Sequence, residues 1–148
     1  MTPDEVEKRG WLLFKCISGS RAYGTATTRS DIDLRGVFVA PPDVFYGLSP
    51  VTQVSDDSND TTYYELGRFI ELLSRNNPNV MELLYMPDDC VLIRHPLFAR
   101  IEPGLFLSKL CRNTFAGYAV SQVRKARGLN KKIVNPMPPA RKGAIDFC

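Results

Sequence analysis

An apolar stretch from Leu12 to Ile17 runs into Gly19-Ser20, and ten residues further on Asp31-Ile32-Asp33 opens a second apolar stretch that ends before Pro41-Pro42. This order constrains the chain more than any other feature. Successive side chains of a strand point to opposite faces, so Asp31 and Asp33 are expected to project on one side, roughly 6 to 7 Å apart at the Cα. Two carboxylates so placed can share hard cations. Magnesium takes oxygen ligands in near-octahedral geometry and is commonly held by one or two carboxylates plus substrate phosphates. Two such ions about 3.5 to 4 Å apart can clamp the entering and leaving oxygens of a phosphoryl displacement. The Asp pair therefore reads as a metal seat. Gly19, lacking a Cβ, lets the backbone approach a ligand closely. Ser20 and the amides after it can open a short helix whose N-terminus favours phosphate oxygens. Taken singly, a Gly-Ser dipeptide is usually a turn and an Asp-x-Asp usually a solvated strand edge. Their order along one chain is much rarer.

The chain has 148 residues, 44% of them hydrophobic, which suits one globular domain with a real core. No run of about 18 apolar residues is present, so no membrane span is expected. MTPDEVEKRGW carries acidic residues where a signal peptide needs positive charge and an apolar core, and the chain reads as cytoplasmic. Cysteines at 16, 90, 111 and 148 lack a Cys-x-x-Cys pairing and read as free thiols rather than a zinc site or disulfide framework. Charge is unevenly divided. Residues 1–123 hold 12 Lys and Arg against 15 Asp and Glu, whereas 124–148 hold 7 against 1. Arg124, Lys125, Arg127, Lys131, Lys132, Arg141 and Lys142 can neutralise phosphates of a polynucleotide or a nucleoside triphosphate, or simply form a solvated basic helix end.

Periodicity gives the elements. Thr2 is expected to cap a helix from Pro3 to about Gly10, with Glu5 as its capping-box partner. A strand over Leu12 to Ile17 follows, then a turn or short helix over Arg21 to Thr27, then the Asp-bearing strand Ile32 to Val39. Val44 to Val54 reads as a hairpin or insertion, and Asp56 to Asp60 as turn chemistry. A third strand at Thr61 to Tyr64 passes into a helix from Glu65 to Arg75, ended by Asn76-Asn77-Pro78. A short helix Val80 to Leu84, a strand Val91 to Ile93 and a helix Pro96 to Ile101 come next. A long helix is expected from Leu105 to Arg127, closed by Gly128, with Asn135 to Pro139 as an extended linker.

Gly19-Ser20, the gap of ten and Asp31-Ile32-Asp33 within SDIDLRGVFV resemble the signature of the DNA polymerase beta nucleotidyltransferase superfamily. GSRAYGTATTRSDIDLRGVF together with NPNVMELLY at Asn77 to Tyr85 is similar to a bacterial and phage branch, some members of which are associated with RNA repair. The similarity runs from about Leu12 to Asp146. It implies an α+β fold, with a small mixed sheet, flanking helices and a helical C-terminal part. Residues 1–104 would form the catalytic core, and 105–148 a long helix and basic tail packed on it.

The superfamily also places a third carboxylate on a neighbouring strand. Asp56, Asp57, Asp60 and Glu65 are candidates, and Asp60 in DTTYYELGRF matches the branch, with Glu65 second. The resemblance thus implies Asp31, Asp33 and Asp60 as the catalytic and metal-binding set, with two magnesium ions or manganese in their place. Gly19, Ser20 and Arg21 would bind the nucleotide. Arg21 can reach a phosphate, because a guanidinium pairs bidentately with phosphate oxygens, or form an ion pair with Asp31 or Asp33. Ser30 is expected to hydrogen-bond locally and orient Asp31. His95 reads as a capping or packing residue. Asn77, Asn79 and Glu82 match the second motif, although a helix boundary explains them equally. Tyr63, Tyr64 and Tyr85 can stack on a base, but their spacing favours core packing.

The implied reaction is transfer of a nucleoside monophosphate from a nucleoside triphosphate to a hydroxyl acceptor, an RNA end among the candidates, with release of pyrophosphate. RNA would be met through Arg124, Lys125, Arg127, Lys131 and Lys132. The competing expectations are a nucleotide- or RNA-binding module without turnover, and an antitoxin-like interaction protein. The branch's pattern continues past a Lys and an Asp, here Lys142 and Asp146, into a further helix, whereas this sequence stops at Cys148, so part of the acceptor or base pocket would be absent or be supplied by another subunit.

Overall fold

The structure is a computed structural model that describes residues 1–134 apart from Arg29, with side chains described as far as Gly128. The expectations for Lys131 and Lys132 side chains, the linker at 135–139, Arg141, Lys142, Asp146 and Cys148 fall outside the described residues. The fold is α+β, with one five-stranded mixed sheet and helices.

The chain opens as its first residues dictate. Helix α1 spans Pro3–Lys8, and Thr2 caps it in a complete capping box: Glu5 N donates to Thr2 Oγ1 while Thr2 N donates to Glu5 Oε2. Strands β1 (Leu12–Ser18) and β2 (Asp33–Phe38) pair antiparallel, from Leu12 opposite Phe38 to Ser18 opposite Asp33. Strand β3 (Gln53–Ser55) and strand β4 (Thr61–Glu65) form a short hairpin, and β4 lies parallel to β2. Strand β5 (Val91–Arg94) covers the other side of β1, so the order across the sheet is β3-β4-β2-β1-β5.

The two faces are covered differently. On one, Phe14, Cys16 and Val37 pack with Phe69 and Leu73 of helix α3 (Leu66–Ser74) and with Val80 and Met81 of helix α4 (Pro78–Met81). Phe98 stacks on Phe14 with ring centroids 4.2 Å apart. On the other face Val6 of α1 joins Phe38, Val54 and Tyr63. Gly36 makes that second layer possible. A Cβ there would stand 2.6 Å from the Phe14 carbonyl oxygen and 2.8 Å from the Tyr63 ring, so Tyr63 lies directly across β2. Its hydroxyl donates to Glu7 Oε1 at 2.5 Å, and Lys15 Nζ reaches both Glu7 oxygens at 2.8 Å. One carboxylate on α1 thus ties β1 and β4 across the glycine between them.

Helix α3 ends where Asn76-Asn77-Pro78 was expected to end it. Asn76, fully buried, adopts φ +50°. Its side-chain amide donates to the carbonyls of Leu73 and Phe106, and its oxygen accepts from Ser108 N and Oγ. The buried amide is therefore fully used, one bond going back to α3 and the other three pinning the 106–108 segment.

Several expectations are corrected. Val44 to Val54 is not itself a hairpin: it holds the end of a one-turn helix, α2 (Pro42–Phe45), and the start of β3, whose hairpin partner is β4. The helix expected over Pro96 to Ile101 is only a 3-10 turn, Phe98–Arg100, because His95 N still bonds Leu13 O beside β5 and Phe98 must then turn inward onto Phe14. His95 Nδ1 accepts from Leu97 N just ahead of this turn. The long helix, α5, spans Leu110–Val134 rather than starting at Leu105. Ser108, fixed by Asn76, accepts from Leu110 N and sets the start. Gly128 does not end it. A glycine inside a helix costs only about 1 kcal/mol against alanine, and Gly128 is not in the left-handed conformation that a C-terminal stop requires. Tyr63 is buried and Tyr64 partly buried as expected, whereas Tyr85 is 59% exposed. Cys16 is buried, while Cys90 and Cys111 are half-buried, all as free thiols.

The chain divides into two compact units, Met1–Cys111 and a second beginning at Arg112 within α5. No helix among the described residues is long and apolar enough to cross a membrane.

Burial works to raise the Glu7 pKa, but the Lys15 hydrogen bond, the Tyr63 hydroxyl and the Lys15 charge outweigh it and hold the carboxyl below the usual value of 4.5. A depressed carboxyl stabilises the fold fully above its unfolded pKa, and that contribution is lost as pH falls from 4.5 through the lower folded value. Tyr63→Phe is expected to cost about 1 kcal/mol near neutral pH and to flatten the acid limb of the stability curve below pH 4.5, read by urea unfolding from pH 3 to 7.

Candidate active site at the Gly19 turn

The end of β1, the start of β2 and the start of β4 meet at one edge of the sheet. Residues 19–24 form a turn, the first of the two forms expected after Ser20, closed by Tyr23 N to Gly19 O, Gly24 N to Arg21 O and Thr25 N to Ser20 O. Gly19 takes φ +66°, a left-handed conformation favouring glycine. A Cβ on Gly19 would lie 2.2 Å from Asp33 Oδ2. The close approach that Gly19 permits is thus to the chain's own Asp33 carboxylate. Among the described residues the amides of Ser20, Arg21 and Ala22 donate to no protein acceptor.

Asp33 begins β2, so Asp31 lies just ahead of the strand and is exposed, and the two carboxylates do not sit on one regular strand face as expected. Just before Asp31, a tight turn is closed by Ser30. Its Oγ accepts from Thr27 N at 2.8 Å and shares a hydrogen bond with Thr27 Oγ1. Its local bonds are therefore to Thr27.

Parallel pairing settles where the other candidates fall. Leu34 is opposite Thr61, and Leu34 N donates to Asp60 O at 2.7 Å, so one step back along this register places Asp60 beside Asp33. Glu65 lies at the far end of β4, opposite Phe38, where its carboxylate caps α3 by accepting from Gly67 N. Asp56 is used in the hairpin, accepting from Thr61 N at 3.0 Å.

Two contacts of the site were not anticipated. Arg35, not Arg21, pairs with Asp33: its Nη2 is 3.5 Å from Asp33 Oδ1, and its Nη1 donates to the carbonyls of Asp60 and Leu34. Arg21 is exposed on the turn, without an ion pair among the described residues. An arginine two residues after Asp33 in an otherwise apolar strand was the signal available in the sequence. Secondly, Tyr23 donates to Glu82 Oε2 at 2.5 Å, joining the turn to the 3-10 segment Glu82–Tyr85 that follows α4. Asn77 caps α4 by accepting from Asn79 N, so the helix-boundary reading holds for that residue, while Glu82 reaches the site turn.

No group of three or more His, Cys, Asp or Glu side chains among the described residues is gathered so as to hold a metal ion unaided. Asp31, Asp33 and Asp60 offer oxygen donors, the type that magnesium takes, but a cation held among them would have to draw the rest of its shell from phosphate oxygens and water.

Gly19→Ala must meet both the left-handed backbone, costing about 1–2 kcal/mol, and the Asp33 carboxylate. Pairing it with Asp33→Ala relieves the second part. The double variant is expected to be less destabilised in urea than the sum of the single ones.

No solved structure matches the chain. An uncharacterised 38.9 kDa protein from the nrdC–mobD intergenic region of Enterobacteria phage T4 is 30% identical over 90 residues, 53% of this chain and 27% of that protein's length. The chain therefore spans about a quarter of that relative. The model of the RNA repair pathway DNA polymerase beta family matches residues 3–136, which takes in the whole Gly19–Asp33–Asp60 site. The protein belongs to the RNA repair pathway DNA polymerase beta family.

Proposed function

We propose that the chain carries the nucleotidyl-transfer site of an enzyme that moves a nucleoside monophosphate from a nucleoside triphosphate to a hydroxyl of an RNA end. The observation that carries this reading is the left-handed Gly19 turn seated against Asp33, with Asp60 beside it in register, in a chain of this family.

On this reading the acceptor oxygen bonds to the α-phosphorus, the bond between that phosphorus and the α,β-bridging oxygen breaks, and pyrophosphate leaves with the electron pair. The amides of Ser20, Arg21 and Ala22, with the Ser20 hydroxyl and the Arg21 guanidinium, hold the β and γ phosphates. Three successive backbone donors suit an anion, and arginine matches phosphate oxygens in pairs. Asp60 receives the acceptor's proton or orients the hydroxyl. Asp31, Asp33 and Asp60 would hold magnesium, or manganese in its place, which supplies charge neutralisation at the entering and leaving oxygens. Most of the acceleration then comes from positioning and fixed charge. Arg124, Lys125 and Arg127, exposed on α5, would meet the RNA backbone.

The test is magnesium-dependent transfer of α-label from each of the four ribonucleoside triphosphates to an RNA pool. Asp31→Ala and Asp33→Ala are each expected to lower transfer by at least about a hundredfold while the melting temperature holds, since removing a carboxylate of limited burial costs little stability. Label on added protein instead of RNA would move the acceptor, and no label with retained nucleotide binding would favour a binding module.

The α5 cations give an independent measurement. Replacing Arg124, Lys125 and Arg127 together by Ala should reduce the slope of log K against log salt for single-stranded RNA by about 2, at about 0.7 per phosphate contact. An unchanged slope would place RNA elsewhere.

A further inference from the structure

Arg35 lies two residues from Asp33 on the same face of β2, with its side chain 26% exposed. Its guanidinium is held from two directions. Nη1 donates to Asp60 O at 2.8 Å and to Leu34 O at 2.9 Å, and Nη2 stands 3.5 Å from Asp33 Oδ1. Those carbonyl bonds do not depend on Asp33, so the charge remains near the site even when Asp33 turns to another partner. Arginine does not lose its proton in proteins. A permanent positive charge is therefore built in between the carboxylate of Asp33 and the main chain of Asp60.

Such a charge acts oppositely on two kinds of ligand. A divalent cation arriving alone at Asp33 is repelled by the guanidinium a few ångströms away, which stands 3.5 Å from one of the two carboxylate oxygens. A cation arriving on a polyphosphate brings net negative charge, which the same guanidinium attracts, and Arg35 has further donors to offer its oxygens. We infer that Arg35 makes cation binding at Asp33 conditional on phosphate: it weakens the bare divalent cation and strengthens the cation–polyphosphate complex. Arg35 is on this account a selectivity and positioning residue. The inference rests on the reading of Asp33 as a cation and phosphate site.

The experiment compares wild type, Arg35→Gln, Arg35→Lys and Asp33→Asn, each first checked for folding by circular dichroism. Mn2+ alone is titrated by electron paramagnetic resonance, and magnesium tripolyphosphate by calorimetry. Arg35→Gln should bind Mn2+ about tenfold more tightly than wild type and magnesium tripolyphosphate about tenfold more weakly, whereas Arg35→Lys, which keeps the charge, should stay within about threefold for both. If Arg35→Gln moves both affinities in one direction or neither, the inference is overturned. It is equally overturned if Arg35→Lys shows the tenfold shifts, and Arg35→Met, which also removes the charge, is read by the same criteria if the glutamine variant does not fold. Wild type binding neither ligand, or Asp33→Asn binding both as wild type does, would instead remove the reading of Asp33 on which the inference stands.

Discussion

The parallel pairing of β2 with β4 is the constraint on which the candidate site depends. β1 runs antiparallel to β2 and ends where β2 begins, which is enough to set Ser18 and Gly19 beside Asp33. It does not bring in a second strand's carboxylate. Only a β4 running the same way as β2, with Leu34 opposite Thr61, carries Asp60 to the same sheet edge. A one-residue slip of that register would turn the Asp60 side chain to the other face. The buried contacts on both faces hold the register. Val37 belongs to the layer under α3, and Tyr63 lies over Gly36 toward α1.

This makes the Glu7, Lys15 and Tyr63 cluster more than a local ion pair. It couples α1 to β1 and β4, the two strands flanking β2, from the face opposite α3. Both layers bear on the same three strands, and those strands supply Gly19, Asp33 and Asp60 at their ends. The ends themselves are less enclosed. Asp31 is exposed, and Asp33 and Asp60 are only partly buried. What gathers there is a set of carboxylates at one end of a rigid sheet and a turn whose Ser20, Arg21 and Ala22 amides donate to no acceptor among the described residues. Arg35 is the exception, a cation drawn back along its strand and tied to main-chain oxygens.

The elements legible in the sequence are those whose signals lie within a few residues of each other. Thr2-x-x-Glu5 closed its capping box, Leu12 to Ile17 and Thr61 to Tyr64 formed strands, and Asn76-Asn77-Pro78 ended α3. The misplaced elements answered to distant partners. The expected Pro96 to Ile101 helix gave way to a 3-10 turn because Phe98 packs on Phe14. The start of α5 moved to Leu110 because buried Asn76 holds Ser108 thirty-two residues away. Gly128, read as a stop, had no left-handed turn to make and remained inside the helix.

For the site, the family motif, the candidate carboxylates at 31, 33 and 60 and the glycine at 19 were legible in the sequence, since these are matters of residue type and spacing. The tertiary structure decided which groups meet. It placed Asp60 rather than Glu65 beside Asp33, gave Asp33 to Arg35 rather than Arg21, and joined Tyr23 to Glu82 across 59 residues. Alternation along a strand fixes which side a residue faces. What stands opposite it depends on strand order and register, which are set by packing between segments far apart in the chain.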